Sequence, residues 1–141
     1  MASVNVQFKG DMLFEVKSGS QTLKIDVPAA MGGKDRGMTP TELFAASLAS
    51  CVGVLVVAYC RDMKIDATGL SVDLTYDKLD QPTRLGHFKA AIKIPAGGWE
   101  SRKEGVLRAA ERCPVHETIR HFEGAEITVS CSARARRSGC A

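Results

Sequence analysis

Residues 43–60 read LFAASLASCVGVLVVAYC, a run that contains no charged side chain. As a helix this run extends about 27 Å, the lower limit for crossing a bilayer. However, Glu42 and Arg61 bound it closely, and a helix that is apolar on all sides is equally typical of a globular core. Because amphipathic strands are predicted on both sides of the run, we interpret it as a buried core helix with no membrane partner.

The beginning of this helix is marked by Thr39-Pro40-Thr41-Glu42. Thr39 can cap the helix, Pro40 suits its first turn, and Glu42 three residues after the cap completes a capping box. We predict that the helix ends near Lys64.

Alternating apolar residues predict antiparallel strands before and after the helix, and helical spacing returns near the C-terminus. This order of elements predicts an α+β fold built on antiparallel sheet. The flanking elements are a three-strand meander within residues 3–27, a loop over 28–39, a hairpin over 70–94, a helix over about 100–112, a short helix capped by Cys113, and a last strand over 126–131.

The chain has 141 residues, of which 45% are hydrophobic and 25% charged, as in one globular domain. Its net charge, 19 − 16 = +3, comes entirely from three arginines near the C-terminus, so the rest of the chain is neutral. A neutral body argues against nucleic-acid binding, which needs a basic face. We expect one domain over residues 1–132 and a mobile basic tail over residues 133–141.

The five cysteines form an odd set in a chain long enough to build its own core, which fits free thiols in a reducing compartment. The N-terminal residues do not resemble a signal peptide, so we expect a cytoplasmic protein. One chain offers little material to wrap a helix that is apolar on every side. We therefore predict a homodimer that encloses this helix.

Cys113 has the strongest local case for reactivity among the cysteines. At a helix N-terminus its thiol faces unpaired N–H groups, Arg112 adjoins it, and His116 lies within one turn, all of which favour the thiolate. A buried capping cysteine without chemical use is the alternative. Cys51 on its own would be interpreted as a small core residue.

The remaining cysteines and the histidines suggest no further site. The Cys113, His116 and His121 set lacks the second ligand pair of a zinc site, so we expect no metal and no bound cofactor. Three cysteines are interpreted as non-catalytic: Cys60, Cys131 and Cys140.

Two segments together resemble the OsmC/Ohr family of thiol peroxidases. These are the run from Pro40 to Cys51, PTELFAASLASC, and the sequence Cys113-Pro114-Val115. The resemblance implies an intertwined homodimer with two long helices buried between antiparallel sheets. It also implies that Cys51 is the peroxidatic cysteine and Cys113 the resolving one. The local argument, in contrast, favours Cys113 as the more reactive thiol.

The resemblance further implies an arginine and a glutamate around the attacking sulfur. Arg36 lies where OsmC-type members carry their arginine. Many members have the glutamate immediately after the proline, whereas this chain has Thr41 there and Glu42 next. Glu42 lies nine residues before Cys51, on the far face of an ideal helix and about 13 Å away along it.

The resulting hypothesis is thiol-dependent reduction of organic hydroperoxides. A sulfenic acid at Cys51 would condense with Cys113 to a disulfide, and an external dithiol of the lipoyl type would reduce it. Arg36 and Glu42 complete the candidate catalytic set. The alternative is a non-catalytic protein of the same fold that binds a small apolar or thiol-reactive ligand, which the Thr41 departure suggests.

Overall fold

The computed structural model describes residues 1–131, which form five strands and three helices in the order β1–β2–β3–α1–β4–β5–α2–α3. The predicted α+β class with antiparallel sheet is confirmed. The elements are β1 Asn5–Gly10, β2 Leu13–Ser18, β3 Gln21–Ile25, α1 Pro40–Asp62, β4 Ser71–Leu79, β5 Arg84–Lys93, α2 Lys103–Glu111 and α3 Pro114–Arg120.

The predicted N-terminal meander is confirmed as an antiparallel sheet in the order β1–β2–β3. Phe8 of β1 pairs with Phe14 of β2, and their rings lie 5.6 Å apart. Much of this sheet is open to solvent, since Val6 and Phe8 are 52% and 63% exposed. The sheet therefore offers apolar side chains that the described chain itself leaves uncovered.

The predicted start of α1 is confirmed in full. The Thr39 hydroxyl accepts a hydrogen bond from the Glu42 backbone N–H at 3.2 Å, and the Glu42 carboxylate accepts one from the Thr39 N–H at 2.8 Å. Pro40 occupies the first turn, where its missing N–H costs nothing. Two of the free donors at the helix start are satisfied reciprocally, which fixes where α1 begins.

One face of α1 forms the core, against β4, β5, α2 and α3. The opposite face carries Ser47, Ser50, Val54 and Ala58 and is open, with Val54 68% exposed. We expected α1 to be buried on every side. Within one chain, only its core face is buried. The residues buried on that face are Ala45, Leu48, Val52, Val56 and Cys60.

Within residues 1–131, α1 is the one helix whose length and apolar composition would suit a membrane span. Its core face packs on other elements of the chain, as in the core helix of a globular protein. The predicted hairpin is also confirmed, because β4 and β5 pair antiparallel in a sheet separate from the first one.

The predicted last strand is wrong. Residues 126–131 are not part of a β-strand in the described region of the chain, and Ile127 and Val129 are 88% and 96% exposed. The alternation of apolar and polar residues favours a strand locally, but a strand also needs hydrogen bonds to the edge of a neighbouring strand. The basic tail and Cys140 lie outside the described residues.

A loop links the N-terminal sheet to α1 and runs back along β3. Ile25 forms a bridge with Met38, and the Asp26 N–H donates to the Met38 carbonyl at 3.3 Å. Gly37 faces the Lys24 carbonyl so closely that a Cβ atom at this position would overlap it. Glycine at position 37 is therefore required by backbone contact.

We predict that Gly37→Ala lowers the free energy of unfolding by about 1–3 kcal/mol, because the added methyl group must displace backbone. Gly97→Ala is the matched control, since nothing lies within 4 Å of its added Cβ. Urea denaturation of both variants measures the difference. Equal stability of the two would contradict the close approach at Gly37.

Candidate active site

Cys51 lies in the middle of α1 and is partly buried. One and two turns further along the helix, Leu55 and Tyr59 line a small cavity together with Ala109 and Arg112. These neighbours show that this side of α1 faces the C-terminal end of α2. The position of Cys51 is thus set by the register of α1, which the capping box at Thr39 fixes.

Cys113 caps α3 and is completely buried, with 0% exposure. Its sulfur accepts a hydrogen bond from the His116 backbone N–H at 3.4 Å. Pro114 follows in the first turn of α3, where its fixed φ favours the helix. The sequence Cys-Pro-Val therefore holds the thiol inward, on the end of the short helix.

The fold brings Cys51 and Cys113 close together, although 62 residues separate them in the chain. Cys51 packs against the core cluster that contains Cys113, and it lies near enough to raise the pKa of the Cys113 thiol. Both are free thiols. Two thiols that lie close together can be joined in a disulfide when one of them is oxidised.

The local prediction that Cys113 has the lower pKa is wrong. Burial raises the pKa of the Cys113 thiol, and the neighbouring Cys51 raises it further. The N–H groups of Val115 and His116 lower this pKa, as expected for a helix start, but their effect is smaller. Desolvation outweighs the backbone hydrogen bonds because Cys113 has no contact with water.

Two apolar cavities border α1 and α3, and neither of them is lined by Cys51 or Cys113. One, of about 210 Å³, is lined by Leu48 and Val52 of α1 and by His116 of α3. The second, of about 610 Å³, is lined by aromatic residues that include Phe44, two helical turns before Cys51. Phe88 borders both cavities, and its ring lies 5.9 Å from that of Phe44. These cavities offer room for an apolar ligand along α1.

Arg36 lies in the loop that follows β3, where it is held by two carboxylates. Its Nε donates to the Asp26 carboxylate at 2.6 Å, and its Nη1 lies 3.5 Å from the Asp11 carboxylate. Asp26 is 0% exposed and also accepts hydrogen bonds from the N–H groups of Val27, Lys34 and Arg36. The Arg36 guanidinium holds the pKa of Asp26 well below its usual range, although burial opposes the effect.

Arg36 and Cys51 are not brought together within one chain. Among residues 1–131, the ion pairs and hydrogen bonds of the Arg36 side chain go to Asp26 and Asp11. Asp26, which fixes this side chain, was not singled out from the sequence. The position of Asp26 just after a β-strand did not indicate this role in the sequence. Its four hydrogen-bond donors converge on the carboxylate only when the loop folds back.

Glu42 is likewise not placed beside the sulfur pair. Its carboxylate is occupied by the Thr39 N–H, which also lowers the pKa of Glu42. Thr41, the residue immediately after Pro40, lines the larger cavity together with Phe44. Of the four candidate residues, therefore, Cys51 and Cys113 lie close together within one chain. Arg36 and Glu42 interact with other residues, away from the two thiols.

The other cysteine in the core adds no second site. Cys60 is 0% exposed, and burial raises the pKa of its thiol. In the described part of the chain, no group of three or more His, Cys, Asp or Glu side chains comes close enough to hold a metal ion.

Comparisons with known proteins give relatives for this arrangement. A crystal structure from Psychrobacter arcticus, described as an osmotic stress induced and detoxification response protein, is 27% identical with a TM-score of 0.75, covering 84% of this chain and 88% of that one. The OhrB organic hydroperoxide resistance protein of Bacillus subtilis is 23% identical with a TM-score of 0.60, covering 86% and 92%. An OsmC organic hydroperoxide resistance protein of Legionella pneumophila is 21% identical with a TM-score of 0.57, covering 85% and 89%.

No curated protein sequence matches the chain. The family model described as OsmC-like protein matches residues 32–130, which include both Cys51 and Cys113. This match covers most of the chain and both segments that carried the resemblance. The chain belongs to the OsmC-like protein family.

Proposed function

We propose that the protein reduces organic hydroperoxides with Cys51 and Cys113 as its redox pair. The proximity of these two free thiols carries the proposal. The organic hydroperoxide resistance proteins among its structural neighbours support the same class of substrate. The apolar cavities along α1 favour an alkyl hydroperoxide over hydrogen peroxide.

The reaction consists of three steps. The Cys51 thiolate attacks the terminal oxygen of the hydroperoxide, the O–O bond breaks, and the alkoxide leaves as an alcohol after taking up a proton. Cys113 then attacks the sulfenic acid on Cys51, which releases water and forms the Cys51–Cys113 disulfide. An external dithiol of the lipoyl type reduces this disulfide by thiol–disulfide exchange, so the protein needs no resident cofactor.

A second copy of the chain completes the site in this proposal. The Cys51 thiolate needs a cation nearby, and Arg36 of the same chain is held away from it by Asp26. Both the N-terminal sheet and the outer face of α1 leave apolar side chains uncovered. A homodimer that covers these surfaces can bring Arg36 of one protomer to Cys51 of its partner.

Such a site belongs to a reducing compartment, because both thiols must start reduced. We therefore place the protein in the cytoplasm. Glu42, in this account, acts by capping α1 and so by setting the register of Cys51, and it does not act on the sulfur directly.

We predict that Cys51→Ser abolishes turnover of cumene hydroperoxide in the presence of dihydrolipoamide. Cys113→Ser is expected to consume one equivalent of hydroperoxide per Cys51 and then to stop, since no disulfide can form. Cys60→Ser is the control in the same core. Full consumption by Cys51→Ser would contradict the assignment, and stoichiometric loss by the wild type would favour a binding protein without turnover.

A second prediction concerns the source of the arginine. Arg36→Met and Cys51→Ser homodimers are each expected to be inactive. A heterodimer of the two, co-expressed and purified through two different tags, contains one complete site if Arg36 acts across the interface, and should regain about half of wild-type activity. An inactive heterodimer would show that Arg36 does not complete the site of the partner.

A further inference from the structure

The larger cavity, of about 610 Å³, has walls from three parts of the chain. They are the first turns of α1, the first half of β5, and the end of α3 with the residues that follow it. This volume falls within the range of about 300–1,000 Å³ that is typical of small-molecule sites. Neither Cys51 nor Cys113 lines the cavity, so a ligand there is bound by groups other than the two thiols.

The walls of this cavity are mainly apolar and aromatic. The ring centroids of Phe44 and Phe88 lie 5.9 Å apart, and Phe88 lies at the same distance from Tyr76. Phe122 also lines the cavity and is 67% exposed, while Phe44 is 43% exposed. Covering such aromatic surface with an apolar group removes it from water, which is favourable. The walls therefore favour a ligand with a hydrocarbon body.

Among the described residues, one charged side chain borders this cavity, that of Arg84 at the start of β5. Within residues 1–131, its guanidinium donates a hydrogen bond to the Pro82 carbonyl at 3.3 Å and forms no ion pair. Because a guanidinium carries five N–H donors, most of them are left for a ligand. Arg84 is exposed, so it lies where the cavity meets the solvent.

The two hydroxyl groups on the cavity wall already have partners within the chain. The Thr41 hydroxyl shares a hydrogen bond with that of Thr39 at 3.2 Å, and the Thr118 hydroxyl donates to the Pro114 carbonyl at 2.8 Å. On the described wall, Arg84 is thus the polar side chain that is left to select a ligand. A guanidinium binds a planar carboxylate through two parallel N–H···O bonds, so its shape and its single charge match one carboxylate.

We propose that this cavity binds an amphipathic monocarboxylate, whose hydrocarbon body lies against the aromatic walls and whose carboxylate pairs with Arg84. The phenylalanines hold the body of the ligand, and Arg84 distinguishes an acid from a neutral molecule of the same length. Since neither thiol lines the cavity, this binding goes beyond the proposed redox reaction and does not depend on it.

Isothermal titration calorimetry of the reduced full-length protein tests the proposal with decanoate and decan-1-ol, two ligands of equal chain length. The wild type should bind one decanoate per chain, and more tightly than decan-1-ol. In Arg84→Gln, the affinity for decanoate should fall about tenfold or more, because a charge-assisted pair of hydrogen bonds is lost. The affinity for decan-1-ol should stay unchanged. Added salt should weaken decanoate binding in the wild type and not in Arg84→Gln, since salt screens exposed charges.

Two further variants locate the ligand. Arg120→Gln is the matched control, because Arg120 lies on α3 outside the cavity wall and pairs with Glu117 at 3.3 Å. It should bind both ligands as the wild type does. Phe122→Ala should weaken the binding of both ligands alike, and Phe122 is exposed, so this change leaves the core intact.

Unchanged affinity for decanoate in Arg84→Gln would overturn the role of Arg84. Unchanged affinity for both ligands in Phe122→Ala would overturn their place in this cavity. A wild type that binds neither ligand, as expected if a second copy of the chain fills the cavity, would overturn the site itself.

Discussion

The account depends on one juxtaposition, that of the thiols of Cys51 and Cys113 in the core of the chain. Each thiol is placed by a different local device. The capping box of Thr39 and Glu42 sets the register of α1, and Pro114 starts the short helix that Cys113 caps. Packing of α2 and α3 against α1 then brings the two sulfurs together. Because Cys113 lies in the core, the same packing that stabilises the fold also excludes water from its thiol.

A second constraint is the separation of the cation from the thiols. Asp26 is fully buried and holds the Arg36 side chain and the surrounding loop through four hydrogen bonds. Removing Arg36 would leave the buried Asp26 carboxylate without its counter-charge, which is costly. The loop therefore presents Arg36 in one arrangement. In the proposed homodimer, a second copy of the chain would cover the open apolar surfaces of the N-terminal sheet and of α1 and would bring Arg36 to a thiol.

The sequence predicted what local interactions decide. The capping box, the meander, the hairpin and the start of α3 all follow from residues close together in the chain, and the structure confirms them. Tertiary effects could not be predicted in this way. The pKa of Cys113 was misjudged because the burial of its thiol comes from packing against α1, which is distant in the sequence. The predicted strand over residues 126–131 is absent because a strand needs the hydrogen-bonding edge of another strand, which local sequence cannot supply. Asp26 was missed because its donors converge only in three dimensions.

The most direct measurement of the central claim is peptide mass spectrometry of the reduced protein after one equivalent of organic hydroperoxide. The account predicts a single new cross-link that joins the peptide of Cys51 to the peptide of Cys113, with Cys60 still reduced. A protein in which Cys51 and Cys113 both remain thiols, or in which either is joined to a different cysteine, would contradict it.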